Sequence, residues 1–213
     1  MSLRILVVDD HAVVRRGVRS LLESHEGWEV CGEATTGRDA VEQSRRLRPH
    51  VVVMDLSLPE LNGLDATRQI LKDTPDTEVL VLTMHHSEEL AREVLRAGAR
   101  GFILKADADE NLITAVESLR QHRPFLTPTV TGLVLDDYLR SSDGDVARDA
   151  VTPREREVMQ LVAEGQSSKE IASTLGLSVK TIEAHRTNIM RKLRLHSVSD
   201  LVRYAIRNKI VEP

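Results

Sequence analysis

The chain has 213 residues, enough for one or two domains that each bury a core. With 41% hydrophobic and 29% charged residues it has the composition of an ordinary soluble protein, and no apolar run approaches a membrane span. Its single cysteine, Cys31, excludes a disulfide framework and a cysteine-based zinc site, and the start Met1-Ser2-Leu3-Arg4 runs into a strand rather than a signal peptide. The expected location is the cytoplasm, with no membrane partner. Charge is unevenly spread: residues 151–213 carry 11 Lys+Arg against 7 Asp+Glu, a net of +4, whereas residues 1–150 carry 18 against 26, a net of −8. An acidic front half and a basic tail suggest a metal or phosphate switch joined to an anion-binding module.

In chain order, residues 3–8 form a continuous apolar strand closed by Asp9-Asp10, and residues 11–24 place Val14, Val18, Leu21 and Leu22 at helical spacing. A short strand over 30–34 precedes a helix over 37–47 that packs through Ala40, Ser44 and Leu47. Residues 51–55, Val-Val-Val-Met-Asp, read as a strand buried on both faces that ends at a carboxylate. Asn62-Gly63 marks the turn into a helix with Leu64, Thr67 and Leu71 on one face. A strand over 79–83, a helix over 88–97, a strand over 101–104 and a helix through Leu112, Ala115, Val116 and Leu119 complete the series, ending near His122. Five strands alternating with five helices predict a flavodoxin-like, doubly wound (βα)5 domain over residues 1–122.

The pattern breaks over 123–150, read as a partly helical linker. Thr127-Pro128 opens a short helix with Leu133, Leu135, Tyr138 and Leu139 on its apolar side, and Ser141-Ser142-Asp143-Gly144-Asp145 is the flexible joint. From 151 to 213 the texture is all helical. Thr152-Pro153-Arg154-Glu155 is a capping box, Ser167 or Ser168 caps a second helix, and Ser178 caps a third that runs to about Leu193. A fourth, over 198–209, presents Leu201, Val202, Ala205 and Ile206. Four short helices with a tight Gly176-Leu177 turn before the third describe a helix-turn-helix module.

Taken alone, Asp55 is better explained by a cap or loop carboxylate, and Lys105 by a solvated lysine after a strand. In the strand order 2-1-3-4-5, however, Asp9, Asp10, Asp55, Thr83 and Lys105 share one rim, and three adjacent carboxylates need a cation. A hard divalent ion with oxygen ligands, Mg²⁺ by default, fits. This set, with Pro59 four residues after Asp55, resembles the receiver domain of two-component response regulators. The resemblance implies that a histidine kinase phosphorylates Asp55, that Asp9, Asp10, Asp55 and the Ser57 carbonyl hold Mg²⁺, and that Thr83 and Lys105 bind phosphoryl oxygens. It makes Thr83 and Phe102 the switch pair, although Phe102 is equally read as strand core. Met84 and Ala106 depart from the family's small residue and proline, which bears on phosphoryl lifetime. His11, His85 and His86 fit no zinc spacing and are read as surface residues.

In the third tail helix, Ile182, Ile189 and Leu193 fall within about 20° of one another and face the core. Opposite them lie Lys180, Ala184, Thr187 and Arg191, flanked by Glu183 and Asn188, a face suited to a major groove or simply to water. Thr152 to Val158, Ser168 to Ala172, and Leu177 to Ile182 with His185 resemble the LuxR-type DNA-binding domain, and Asn188 to Leu193 extends the match. Together the two halves are similar to the NarL/FixJ class of response regulators. That resemblance implies base contacts from Lys180, Glu183, Ala184 and Thr187, and phosphate contacts from Ser178, Thr181, Arg186, Arg191 and Lys192. It also implies dimerisation through Leu201, Val202 and Ala205, with inverted half-sites in double-stranded promoter DNA. The function implied is a transcription factor switched by phosphoryl transfer to Asp55, dimeric on activation, with no enzymatic activity beyond its own phosphorylation and dephosphorylation. The alternatives are a phosphorylation-independent DNA binder whose receiver only dimerises, a Mg²⁺ phosphatase, and a tail that binds RNA or protein.

Overall fold

The computed structural model describes residues 2–84, 88–127, 131, 151–208 and 210–211, with side chains omitted at Glu88 and Glu89. The apolar side read at Leu133 to Leu139, the joint over 141–145, and His85 and His86 lie outside the described residues. The chain folds as two compact units, one α/β and one helical.

The α/β unit alternates strands and helices: β1 (Leu3–Val8), α1 (Ala12–Glu23), β2 (Trp28–Ala34), α2 (Gly37–Leu47), β3 (Val51–Met54) and α3 (Gly63–Asp73). It continues through β4 (Glu78–Thr83), α4 (Glu88–Arg96), β5 (Gly101–Leu104), a 3₁₀ turn (Lys105–Asp107), α5 (Ala108–Arg120) and β6 (Phe125–Leu126). All pairings are parallel, in the order β2-β1-β3-β4-β5-β6. The order puts β1 and β3 side by side, as the doubly wound reading requires. β3 and β4 are buried along their whole length because helices cover both faces of the sheet. On one face Ile5, Val7, Val51, Val53, Leu80, Leu82 and Ile103 pack with Val18 and Leu22 of α1 and Leu112, Val116 and Leu119 of α5. Alternate strand residues point the other way, and Leu6 approaches Gln43 and Leu47 of α2 around Gly32.

Two features differ from expectation. β6 adds a sixth strand from the segment read as linker, where the Phe125 N–H donates to the Arg100 carbonyl at 2.9 Å. Two residues are too few to carry a period, so the sequence holds no signal for it. β2 begins at Trp28, two residues earlier than read, and its register against β1 shifts between Ile5 and Leu6. Cys31 is the extra residue, and its thiol donates to the Ile5 carbonyl at 3.3 Å. Lys105 follows β5 directly, as read, and opens the 3₁₀ turn into α5.

The helical unit consists of α6 (Pro153–Ala163), α7 (Ser168–Leu175), α8 (Val179–Lys192) and α9 (Val198–Arg207). Each start is capped by a hydroxyl: Thr152, Ser167, Ser178 and Ser197 accept from the backbone N–H three residues on. Thr152 with Glu155 and Ser167 with Glu170 form reciprocal capping boxes, so Ser167 rather than Ser168 is the second cap. Gly176 ends α7 in the left-handed conformation (φ 63°), which turns the chain into α8. The core joins Val158, Leu161 and Val162 of α6, Ile171 and Leu175 of α7, Ile182 and Ile189 of α8, and Leu201 and Ala205 of α9.

Candidate functional site

Ladder bonds place the acidic side chains. The Asp55 N–H donates to the Val8 carbonyl at 2.9 Å and the Asp9 N–H to the Ala34 carbonyl at 3.2 Å, so both carboxylates leave the sheet at the carboxyl ends of neighbouring strands. Both residues are buried, while Asp10 is exposed. The Lys105 ammonium lies 2.7 Å from Asp55 Oδ2 and 2.7 Å from Asp9 Oδ2, bridging them. Asp55 Oδ1 accepts from the Leu56 N–H at 2.7 Å, and Asp9 Oδ1 from the His11 N–H at 2.8 Å. Arg15 steadies the base of the site by donating to the Asp9 carbonyl at 2.8 Å while pairing with Glu33.

Burial raises the pKa of Asp55, and Asp9 adds to the rise; the bond and charge of Lys105 only partly offset it. Burial pulls Lys105 down, but its two carboxylate partners outweigh that and hold it above the usual lysine value. The site is therefore short of positive charge, because one ammonium serves two buried carboxylates. Ligand atoms of Asp9, Asp10, His11 and Asp55 all lie within 4.8 Å of one another. Asp9 Oδ2 is buried and receives no aligned hydrogen bond among the described residues; the ammonium beside it is an ion-pair contact only. Carboxylate oxygens so arranged fit a hard divalent cation. His11 is exposed, as read, yet its Nδ1 sits 2.7 Å from Asp10 Oδ1, inside the cluster rather than apart from it.

Thr83 ends β4, is fully buried and pairs in register with Leu104, one residue before Lys105. Phe102 is 1% exposed and belongs to the core, and Met84 beside Thr83 is 68% exposed. Ser57 follows Asp55 by two residues and is half-buried. One residue of the site carried no sequence signal beyond a turn. A Cβ on Gly63, at the start of α3, would lie 1.9 Å from the Asp55 carbonyl oxygen, so only glycine lets this helix meet the end of β3.

In the helical unit, Lys180, Glu183, Ala184, Thr187 and Arg191 are exposed along one side of α8, opposite the buried Ile182 and Ile189. The sequence-predicted phosphate set divides. Ser178 caps α8 by accepting from the Thr181 N–H at 3.1 Å, and Arg191 donates to Asn188 at 3.2 Å; both remain exposed. Arg186 is half-buried and donates to Ser168 of α7 at 2.8 Å. Lys192 pairs with the buried Glu155 of α6 at 2.6 Å and is engaged inside its own domain. The dimerisation reading needs correction in part: Leu201 and Ala205 are buried in the helical core of their own chain, and only Val202 of the three is partly exposed. Leu201→Ala should accordingly act as a core deletion, costing roughly 3 kcal/mol in urea unfolding of the full chain. Loss of self-association with unchanged stability would contradict that assignment.

Comparison with known proteins agrees over both units. Residues 5–117 match the response regulator receiver domain family, and residues 149–205 match the bacterial regulatory proteins of the luxR family. The oxygen regulatory protein NreC of Staphylococcus carnosus is 39% identical over 216 residues, covering 99% of this chain and 100% of that protein. A LuxR-family two-component response regulator from Aurantimonas is 33% identical with a TM-score of 0.62, over 65% of this chain and 99% of that one. RcsB of Salmonella enterica serovar Typhimurium, solved on promoter DNA with the phosphomimetic BeF₃⁻, is 28% identical with a TM-score of 0.61, over 96% of this chain and 98% of that one. No helix among the described residues is long and apolar enough to cross a membrane. The chain belongs to the two-component response regulators with a LuxR-type DNA-binding domain, transcription factors regulated by phosphorylation.

Proposed function

We propose that Asp55 is the phosphoacceptor of this regulator, with a phosphohistidine of a sensor kinase as donor. The observation that carries the reading is the Lys105 ammonium bridging Asp55 and Asp9 at 2.7 Å each, on a rim with further carboxylates at strand ends. An oxygen of Asp55 attacks phosphorus, the N–P bond to the donor imidazole breaks, and that nitrogen keeps the electron pair. Asp9, Asp10, Asp55 and the Ser57 carbonyl are the groups to hold Mg²⁺. Bound there, the ion supplies positive charge for the phosphoryl oxygens. Lys105 supplies a second cation already in place, and the Thr83 hydroxyl a hydrogen bond from the neighbouring strand. The protein so read catalyses only its own phosphorylation and dephosphorylation. Incubation with acetyl phosphate and Mg²⁺, followed by intact mass, tests it: wild type gains one phosphoryl group, and its absence would sink the reading.

Phosphoryl transfer replaces a carboxylate with a larger dianionic group, and Lys105 and Thr83 close on it. We assign the receiver to residues 1–122, the linker to 123–150 and the DNA-binding domain to 151–213, acting in the cytoplasm as a homodimer on inverted half-sites. Lys180, Glu183, Ala184 and Thr187 face the bases, and Ser178, Thr181 and Arg191 the phosphates. Mg²⁺ at a hundred times its Kd should stabilise the unphosphorylated chain by about 2.7 kcal/mol, read as a rise in thermal midpoint that EDTA reverses. An Asp10→Asn chain that shifts as much as wild type would remove Asp10 from the metal set.

A further inference from the structure

The first turn of α6 reaches both helices of the helix-turn-helix. Glu155 Oε2 receives the Thr152 N–H at 2.8 Å, which closes the capping box, and the Lys192 ammonium at 2.6 Å. Lys192 is the last residue of α8, thirty-seven positions away in sequence. The adjacent Arg154 donates from Nη2 to the Leu175 carbonyl at 3.0 Å, at the last residue of α7, and pairs with Glu157 through Nη1. Neighbouring side chains on one turn thus hold the C-terminal ends of α7 and α8.

The turn suits this task because it is itself rigid: Pro153 fixes its φ and Thr152 and Glu155 satisfy each other's backbone donors. α8 needs such a hold. It spans 14 residues, about 20 Å, and buries only Ile182 and Ile189. Met190 and Leu193 pack beside them only partly buried, and Arg186 ties the middle of α8 to Ser168 of α7, which leaves the C-terminal end to be fixed, while base-edge contacts tolerate errors of only about 0.5 Å. A cation at its last residue also complements the helix dipole.

Resting on the reading of α8 as the DNA-facing helix, we infer that Lys192 is a positioning residue, not a phosphate contact. Paired with Glu155, it fixes the angle at which α8 is presented to DNA. A carboxylate 2.6 Å from the ammonium cancels its charge and would itself repel a phosphate. Arg154 fixes α7 from the same turn.

The two roles give Glu155→Gln opposite signs. Glutamine preserves the capping box but removes a negative charge, so pure electrostatics tightens DNA binding, whereas loss of the clamp weakens sequence-specific binding. The test uses the full chain on a duplex selected from random sequence with the wild-type protein, and on an unrelated duplex, across a salt series. Glu155→Gln and Lys192→Gln should each weaken the selected duplex about fivefold. The double variant should be no worse than either single one, Lys192→Arg should bind like wild type, and the slope of affinity against salt should not change. A slope lower by about one unit in Lys192→Gln, with Glu155→Gln binding as tightly as wild type or tighter, would overturn the inference in favour of a phosphate contact. Should Lys192→Gln lose its helical circular dichroism, Glu155→Gln alone decides. Failure of the wild type to select any duplex would instead refute the DNA-facing reading of α8.

Discussion

Asp55→Asn should take up no phosphoryl group from acetyl phosphate, and DNA affinity should no longer respond to the donor. The amide is nearly isosteric and keeps an oxygen, but it lacks the negative charge that makes a carboxylate attack phosphorus at neutral pH. The same substitution should raise the thermal midpoint of the Mg²⁺-free chain. Burial, with Asp9 adding to it, raises the pKa of Asp55 even against Lys105. A carboxyl raised in the folded state contributes stability below its unfolded pKa, and loses it as pH rises through the folded value. At neutral pH the ionised Asp55 is therefore a net cost to the metal-free fold, which asparagine removes. Lys105 keeps Asp9 as its partner in the variant. Activity and stability move in opposite directions, which separates a lost nucleophile from a lost fold. A variant whose midpoint falls together with its phosphorylation would show that Asp55 holds the rim together.

The convergence of Asp9, Asp55 and Lys105 was legible because each follows a continuous apolar run, and such a run in a parallel sheet can end only at the rim where charge meets solvent. The outward side of α8 was legible for a similar reason: one angular rule separates Ile182 and Ile189 from Lys180, Ala184, Thr187 and Arg191. What escaped depended on contacts without a period. Lys192 read as a surface cation, since nothing local says that Glu155 waits for it across the domain. Leu201 and Ala205 read as interface because an apolar helix face looks the same whether its own core or a second copy covers it. The bulge at Cys31 and the two residues of β6 are backbone events that leave side-chain patterns unchanged.

Gly63→Ala should be the most damaging substitution of a small residue outside the acidic set, and its effect should reach Asp55. The added methyl would lie 1.9 Å from the Asp55 carbonyl oxygen and 2.8 Å from its carbonyl carbon. Neither is the mobile tip of a side chain, so either α3 withdraws or the end of β3 turns. The Gly63 N–H donates to the Leu56 carbonyl at 2.9 Å, and Leu56 in turn donates to Asp55 Oδ1, so withdrawal loosens the bond that orients the carboxylate. Overpacking of this kind costs roughly 3 kcal/mol, and the rate of phosphorylation should fall with it. Gly17 is the control. It lies inside α1, exposed, with nothing within 4 Å of a built Cβ. Gly17→Ala should stabilise the chain by about 0.5–1 kcal/mol through helix propensity and leave phosphorylation unchanged. Urea unfolding and phosphorylation rates on the two variants check both claims. Equal stability and equal rates for Gly63→Ala and wild type would mean that α3 relaxes freely, and that Asp55 owes its orientation to β3 alone.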